Sequence, residues 1–519
     1  MTLAARYDII VCGAGTSGCV LAGRLAERTD LRVLLIEAGG DDRVAEVSDS
    51  RVWMSNIDSP RDWGFRAAPS PFLNGRTPPL PMGKVLGGGS SINGLIWARG
   101  HRQDFEHWAE ITGDPGWNYD SAVALYKELE DWDGPRNDRL RGSGGPIYVT
   151  LPRDPVPVAE ALVAASRAVG IPSADDLNAE AMEGPGAAGI PNVTVRGSNE
   201  RVSMASAFIH PLAGRPNLTV ILGATVQRLM LTGTRVTGVE IVWQGRRHNV
   251  TADKEIVLSL GAINTPKILM LSGIGNAPDL ARHGIATLQH LPGVGRNFQD
   301  HILVAGCVFE YRRPEPPRNN SAEFTFFWKS DAALPGPDLQ PVLEEKPFGS
   351  EITAKQYGLP VDPASCWTLA PGLIRPESRG HLELTGSNPD DPMVIHANFL
   401  SAQADVTALV RAIELCREIG NAPELRDFVK REIMPGPLAG PEMMNFLRNA
   451  AGTYFHQTCT AKMGRDADSV VDGSLKVHGI EGLRIADGSV MPTISSGNTM
   501  APCALIGARA AKLIQAAYT

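Results

Sequence analysis

The sequence predicts an α/β protein built around a Rossmann-like dinucleotide-binding domain, and three observations support this fold class. A glycine fingerprint, GAGTSG at residues 13–18, lies between a short apolar run and a segment with helical periodicity. An acidic residue, Glu37, ends a second apolar run about 20 residues further on. The chain of 519 residues, 43% of them hydrophobic, is long enough for two domains with large cores.

The elements on either side of the fingerprint are indicated by their apolar patterns. Residues 7–12, YDIIVC, form a run that is typical of a short buried strand. In residues 17–28 the apolar positions have helical spacing and are Val20, Leu21, Ala22, Leu25 and Ala26. Between these elements, Gly13 permits a tight turn, Gly15 lets the backbone approach a pyrophosphate, and Gly18 lets the helix pack closely. The N-terminus of the helix offers unpaired N–H groups and partial positive charge to the phosphates.

The second strand, residues 32–36, ends at Glu37, where an acid binds ribose hydroxyls in dinucleotide sites. The carboxylate would repel a 2′-phosphate, so NADP is disfavoured, whereas NAD and FAD fit this segment equally well. A glycine-rich turn without a ligand is the alternative. We favour the dinucleotide because strand, helix and acid occur together in the expected order.

Composition and charge argue against several classes of protein. Charged residues make up only 20% of the chain and the formal net charge is −8, so no basic field for nucleic acid is expected. No apolar run reaches the length of about 18 residues that indicates a membrane span. No signal-peptide pattern precedes the first strand, which predicts a cytoplasmic protein. The seven cysteines lack metal-site spacing, so we expect reduced thiols and no metal.

A second glycine-rich run follows at residues 83–93, GKVLGGGSSIN. Backbone without side chains is needed where a chain lies against a flat ligand or adopts positive φ. A surface loop is the alternative. The apolar residues Ile92, Leu95, Ile96 and Trp97 favour burial instead.

Several ordered motifs resemble the signatures of one enzyme family. The run GKVLGGGSSING, beginning at Gly83, is similar to the first signature of the glucose–methanol–choline (GMC) oxidoreductases, and GAINTPKILMLSGIG at residues 261–275 is similar to the second. Further similar stretches are GVGRNFQDH at 293–301, LIRPESRGHLEL at 373–384 and GLRIADGSVMPT at 482–493. The chain is therefore identified as a member of this family over essentially its whole length.

The resemblance implies the GMC fold and noncovalent FAD. A Rossmann-like FAD-binding domain is assembled from discontinuous segments, and a substrate domain of antiparallel sheet plus helices covers the substrate pocket. Some relatives attach FAD through a histidine where Ile92 stands here, so the FAD is expected to dissociate. The expected FAD-binding segments are residues 1–150, 196–300 and 450–519, and the expected substrate-domain segments are residues 151–195 and 301–449.

The resemblance also implies flavin contacts at individual positions. These positions match the pyrophosphate turn, the ribose acid, the adenine contacts and the run beside the flavin. They are Gly13, Gly15, Thr16, Ser17, Glu37, Ala38, Trp63, Val85, Gly88, Asn93, Gly94, Val226, Asp487, Asn498 and Thr499.

His456 and Asn498 occupy the family's two active-site positions. A random one of the 11 histidines is usually a surface or capping residue, but His456 stands at the base position in HQTCTAKMG. A neutral imidazole is suited to taking the hydroxyl proton while a hydride passes to flavin N5. The amide of Asn498 can donate a hydrogen bond to the substrate oxygen, with a structural turn residue as the alternative. Relatives commonly have Gly-Thr where Cys459-Thr460 stands, so the thiol is expected to alter packing or, less favoured, to react with ligand or oxidant.

The substrate and the electron acceptor stay open in the sequence. The aromatic cluster at residues 324–328, FTFFW, is expected either to line the substrate pocket and favour an apolar or aryl alcohol, or to be core. The resemblance implies FAD-dependent oxidation of a small alcohol to the aldehyde or ketone. The alternative functions are a choline-dehydrogenase-like or sugar and polyol dehydrogenase, or a flavin-containing lyase on the same scaffold. O₂ and a quinone-type or artificial dye acceptor are both compatible with the motifs.

Overall fold

The computed structural model describes residues 3–518 and contains two principal sheets, each with its own hydrophobic core. The first sheet has seven strands. In spatial order they are Leu218–Ile221, Val33–Ile36, Arg6–Cys12, Arg246–Leu258, Arg235–Trp243 and Ala224–Thr232, with Leu483–Ile485 also paired to Arg246–Leu258.

The first sheet is parallel on one side and antiparallel on the other. Arg6–Cys12 pairs in parallel with Val33–Ile36 and with Arg246–Leu258, in the register Val11 to Leu35 and Val11 to Val257. These parallel strands are covered on both faces, which explains why their sequences are continuous apolar runs. The predicted strand–helix unit is confirmed, with the helix at Thr16–Ala26.

The second sheet is antiparallel and has six strands. In spatial order they are Val429–Met434, Val308–Tyr311, Cys366–Ala370, Val342–Glu344, Thr325–Phe326 and Ala188–Gly189. Three helices contribute to the same core and are Pro157–Ala168, Gln403–Gly420 and Gly440–Ala450. The predicted fold class, a Rossmann-like unit plus an antiparallel sheet with helices, is confirmed.

Smaller elements complete the fold. A three-stranded antiparallel sheet places Ile302–Val304 between Gly372–Leu373 and Ala451–Thr453. The paired short strands are Phe65–Arg66 with Pro79–Leu80, Glu130–Asp133 with Ile147–Thr150, Val195–Arg196 with Glu200–Arg201, Ile274–Gly275 with Gln289–His290, and His381–Leu384 with Met393–His396. The remaining α-helices are Ala45–Ser48, Gly89–Ile92, Arg102–Thr112, Tyr119–Leu129, Met204–Phe208, Gly261–Leu271, Ala277–Arg282, Glu351–Tyr357 and Met500–Ala517.

One observation differs from the domain organisation expected from the sequence. Ala67, Leu73 and Leu80, which lie in the segment assigned to the first domain, pack in the core of the second sheet.

Across residues 3–518, no helix combines the length and the apolar character needed to cross a membrane.

Candidate active site

A cavity of about 500 Å³ is lined by residues of both principal sheets and joins the three segments singled out in the sequence. The predicted site residues that line it are Gly13, Gly15, Thr16, Ser17, Glu37, Ala38, Trp63, Gly88, Asn93, Gly94, Val226, His456, Asp487, Asn498 and Thr499. Val85 is not among the lining residues. It is fully buried, and its carbonyl accepts the N–H of Gly88 at 2.7 Å.

Each of the three fingerprint glycines is required for a different structural reason. Gly13 has φ +100°, and a Cβ there would lie 2.3 Å from the carbonyl oxygen of Ser259. A Cβ on Gly18 would lie 1.9 Å from the carbonyl oxygen of Gly13. A Cβ on Gly15 would meet no atom of the described chain within 4 Å, so this glycine presents open backbone to the cavity.

Two helices begin at the cavity wall. Thr16–Ala26 starts directly after Gly15, and Met500–Ala517 starts after Thr499. The hydroxyl of Ser17 donates to the carbonyl oxygen of Cys503 at 2.7 Å, which ties the two helix starts together. Their unpaired N–H groups make this part of the cavity favourable for an anion such as a diphosphate.

Glu37 faces the cavity at the end of its strand, beside the fingerprint. One carboxylate oxygen accepts the N–H of Ala14 at 3.0 Å and the other accepts the N–H of Gly39 at 2.7 Å. Burial raises the pKa of Glu37 to about 7. The carboxyl group is thus held rigidly by backbone at the position where the sequence placed the ribose contact.

The second glycine-rich run lies directly against the first. The N–H of Gly87 donates to the carbonyl oxygen of Ala14 at 2.7 Å, and a Cβ on Gly88 would lie 2.6 Å from the Cα of Gly15. This run therefore crosses the fingerprint backbone to backbone. Ile92 follows at the cavity wall.

Other lining residues extend the cavity beyond the two glycine runs. The Lys84 ammonium lies 4.8 Å from the ring centroid of Trp63, so both belong to one wall. The carboxylate of Asp487 accepts from the N–H of Gly261 at 3.0 Å and from the hydroxyl of Thr265 at 2.6 Å. Burial raises the pKa of Asp487, and these donors fix its orientation.

His456 and Asn498 lie next to each other in the cavity wall. Nε2 of His456 lies 3.3 Å from Nδ2 of Asn498. The His456 ring stacks on Tyr454 with centroids 4.9 Å apart. Burial lowers the pKa of His456 to about 3, so its ring is neutral near pH 7, the form that accepts a proton.

The other ring nitrogen of His456 contacts a second histidine that the sequence analysis missed. Nδ1 of His301 lies 2.9 Å from Nδ1 of His456. Burial and the neighbouring His456 lower the pKa of His301 well below its usual value. The available signal was the motif GVGRNFQDH, which ends at His301 but was used only for the resemblance.

Two further polar residues form hydrogen bonds to His456 and Asn498. Asp300 accepts the backbone N–H of His456 at 2.9 Å, and burial raises the pKa of Asp300 to about 7. Gln340 donates from Nε2 to Oδ1 of Asn498 at 2.9 Å. Neither was expected to contribute to the site, although Asp300 lies in the motif GVGRNFQDH beside His301.

Of the two alternatives for the aromatic run at residues 324–328, pocket wall or core, the structure shows the core. Phe324 and Phe326 are buried in the core of the second sheet, Phe327 in a small separate cluster, and none of residues 324–328 lines the cavity. Alternate side chains of this run point into cores because the segment belongs to the sheet. The cavity is lined instead by Ile96, Leu303, Ala322 and Val342, which cluster with Tyr454 beside His456, and by Glu344.

Cys459 lies behind the base and is not among the cavity-lining residues. Burial raises the pKa of its thiol to about 12, which disfavours the reactive thiolate. Its φ of +73° is in the left-handed region that favours glycine. This backbone conformation explains why glycine commonly occurs here in the family that the sequence resembles.

Comparison with known proteins adds to this geometry. Residues 7–303 and 376–507 match the N-terminal and C-terminal models of the family described as GMC oxidoreductase. The mitochondrial choline dehydrogenase of Mus musculus is 34% identical, over 98% of this chain and 89% of that protein. The alcohol dehydrogenase [acceptor] of Pseudomonas putida is 35% identical, over 98% of this chain and 95% of that protein.

The fold is also similar to that of a solved enzyme. The crystal structure of pyridoxine 4-oxidase from Mesorbium loti superposes with a TM-score of 0.93 at 32% identity. The match covers 98% of this chain and 99% of that one.

Proposed function

The chain belongs to the GMC oxidoreductase family, binds FAD and acts on alcohol CH–OH groups, and we propose that its substrate is a small alcohol with an apolar or aryl body. Oxidation would give the aldehyde or ketone. The apolar lining that includes Ile96, Leu303 and Val342 carries the substrate class. His456, a buried neutral imidazole whose Nε2 faces the Asn498 amide at the cavity wall, carries the chemistry.

The cavity fits FAD on its own residues. The open side of Gly15 leaves room for a diphosphate that the two helix starts would stabilise. Glu37 would accept the ribose hydroxyls, and Trp63 and Val226 would lie by the adenine. Val85, which does not reach the cavity, would act through the position of Gly88. FAD supplies a hydride acceptor at its N5 atom.

The chain's own residues would perform the proton chemistry. Nε2 of His456 takes the hydroxyl proton, while the hydrogen on the carbinol carbon leaves with its electron pair as hydride. The amide N–H of Asn498 donates to the substrate oxygen and stabilises the negative charge that develops there. The C–O single bond becomes a carbonyl.

A second candidate substrate class is favoured by one side chain. Glu344 places a carboxylate in a wall that is otherwise formed by Ile96, Leu303, Ala322 and Val342. The ammonium of Lys346 lies 3.6 Å from this carboxylate and forms an ion pair with it. The carboxylate would attract an alcohol that carries a cationic or hydrogen-bond-donating group, as the similarity to choline dehydrogenase and pyridoxine 4-oxidase also suggests.

An alcohol panel tests both candidates. Anaerobic bleaching of the bound flavin is followed with benzyl alcohol, aliphatic alcohols, choline, pyridoxine and a sugar, in wild type, His456→Ala and Glu344→Gln. We expect aryl or apolar alcohols to bleach the wild type and His456→Ala to react about 1,000-fold more slowly. Preference for choline or pyridoxine that Glu344→Gln abolishes would select the second candidate.

Two outcomes of the panel contradict the proposed chemistry. Reduction of His456→Ala at the wild-type rate would remove the assigned base. A flavin spectrum that none of these alcohols changes would contradict the proposed substrate class and favour the lyase alternative. Peroxide formed during aerobic turnover would assign O₂ as acceptor, and turnover only with a quinone or dye would assign a dehydrogenase.

We further propose that FAD is held noncovalently, because Ile92 offers no nucleophile at the cavity wall. Acid precipitation should release all the flavin into the supernatant. Flavin retained on the washed precipitate would contradict this assignment.

The division into an FAD-binding domain and a substrate domain is likewise proposed. The two separate cores support it, with residues 65–80 moved to the substrate domain.

A further inference from the structure

Four side chains from separate segments form a continuous hydrogen-bonded chain around the base. Gln340 Nε2 lies 2.9 Å from Asn498 Oδ1, Asn498 Nδ2 lies 3.3 Å from His456 Nε2, and His456 Nδ1 lies 2.9 Å from His301 Nδ1. Gln340 and His301, at the two ends, are fully buried. We propose that Gln340 and His301 are positioning residues. They fix the direction of this hydrogen-bonded chain, that is, which atom donates and which accepts at each bond, and thereby keep the proton of neutral His456 on Nδ1. The proposal rests on the functions proposed for His456 and Asn498.

The direction is set at one end by Gln340. The backbone of Gln340 is held on both sides: its N–H donates to the carbonyl oxygen of Gly372 at 2.9 Å, and its backbone carbonyl oxygen accepts the hydroxyl of Tyr454 at 3.2 Å. With Nε2 toward Asn498, Oε1 has no hydrogen-bond partner among residues 3–518. The reversed amide would instead leave its two N–H donors unpaired, which is less favourable since orphaned buried N–H groups are rarer than orphaned carbonyls.

The amide of Asn498 transmits this direction to the base. Because its oxygen accepts from Gln340, its NH₂ group must face His456. An NH₂ group cannot accept a hydrogen bond, so Nε2 of His456 is the acceptor and carries a lone pair. In a neutral imidazole the proton then lies on Nδ1.

His301, at the other end of the hydrogen-bonded chain, follows the direction that Gln340 sets. Nδ1 of His456 donates to Nδ1 of His301, so the proton of neutral His301 must lie on Nε2. The backbone carbonyls of Ser495 and Ile374 interact with the His301 ring and act to raise its pKa, as hydrogen-bond acceptors do. Nε2 of His301 has no hydrogen-bond partner among residues 3–518, so the direction is set by Gln340.

The direction matters for the proposed reaction. A proton on Nε2 would occupy the atom that has to accept the hydroxyl proton, and would turn the Asn498 oxygen toward the substrate oxygen. In the proposed direction the Nε2 lone pair and the Asn498 N–H face each other, and a substrate hydroxyl would replace this hydrogen bond by donating to Nε2 and accepting from Asn498. Both are what oxidation of an alcohol requires from the protein.

The tautomer can be measured directly. Nitrogen NMR of the FAD-containing enzyme with isotope-labelled histidine distinguishes protonated from unprotonated ring nitrogens, and loss of signals in His456→Ala identifies His456. We expect Nδ1 of His456 to be protonated and Nε2 unprotonated. The opposite assignment in wild type would overturn the proposal.

Substitutions at the two ends test the positioning roles. Gln340→Glu can only accept from Asn498, so the amide should reverse, the His456 proton should move to Nε2, and kcat should fall about 100-fold with KM little changed. His301→Leu removes the acceptor for Nδ1 and should lower kcat about tenfold. His301→Asn retains an acceptor oxygen at that place and should recover most of the lost kcat.

Controls separate positioning from simple damage. Ser166→Ala, which removes a buried hydroxyl that donates only to the carbonyl of Leu162 in the helix Pro157–Ala168, should leave kcat and the tautomer unchanged. In the Asn498→Ala background, Gln340→Leu should have no further effect on kcat, because Gln340 acts through Asn498. An additive loss there, or wild-type kcat in Gln340→Glu and His301→Leu, would overturn the proposal. If His456→Ala retains wild-type flavin reduction, the proposed function itself fails, and that outcome is distinct.

Discussion

The carboxylate of Asp300 accepts the backbone N–H of His456 at 2.9 Å, across a separation of 156 residues. It also accepts the hydroxyl of Thr453 at 2.5 Å and the side-chain amide of Gln457 at 3.2 Å. One buried acid therefore fixes the loop that carries the candidate base. Long-range support of this kind makes the base position depend on the fold and not on local sequence.

Asp300→Ala should destabilise the protein and slow turnover. It leaves the donors of His456, Thr453 and Gln457 without this acceptor, which should lower the free energy of unfolding by about 3 kcal/mol. Asp300→Asn retains one acceptor oxygen and should lose less stability and less kcat. Urea unfolding and steady-state kinetics measure both effects; equal stability of the two variants would contradict the role of Asp300.

The stability of the protein should fall on mild acidification in part because of His456. Burial lowers its pKa from 6.5 to about 3, so below pH 6.5 the unfolded chain binds a proton that the folded chain does not. Between pH 6.5 and 5 this contribution reduces the free energy of unfolding by about 2 kcal/mol. His456→Asn should lose about 2 kcal/mol less than wild type over that window in urea unfolding. Identical losses would show that His456 is not buried in the neutral form.

Cys459→Gly should be more stable than Cys459→Ala by about 1 kcal/mol, because both remove the thiol but only glycine accommodates a φ of +73° without strain. Cys416 provides the control, since it is fully buried inside the helix Gln403–Gly420. There the order should reverse, with alanine favoured by about 1 kcal/mol. Thermal unfolding of the four variants gives the comparison, and glycine proving less stable at 459 would contradict it.

Gly15→Ala and Gly18→Ala should separate cofactor binding from folding. The new Cβ at position 15 would point into open space, so the apo-protein should keep its stability within about 0.5 kcal/mol while its flavin content falls. The new Cβ at position 18 would lie 1.9 Å from a backbone oxygen, and the variant should lose about 2 kcal/mol or more. Flavin-to-protein ratios and unfolding of the apo-proteins measure the difference. Full flavin content in Gly15→Ala would contradict the assignment of this turn.

The sequence by itself determined the features whose reasons are local. Gly13 is required by its φ of +100° in the turn and Gly18 by the nearby carbonyl oxygen of Gly13, while Glu37 follows directly after the next strand. Such requirements act over a few residues and so leave a pattern in the chain. The positions of His456 and Asn498 came from a resemblance between whole motifs.

Only the tertiary structure decided which distant side chains meet. Gln340, His301 and Asp300 touch the active-site pair through contacts that span 155 to 158 residues, and no sequence pattern shows which side chains meet over such a separation. The aromatic run at 324–328 has the composition of a pocket wall but packs in cores, because strand pairing fixes which way its side chains point. The chain thus encodes its dinucleotide turn locally, whereas the orientation of its base depends on buried hydrogen bonds that exist only once both sheets have packed together.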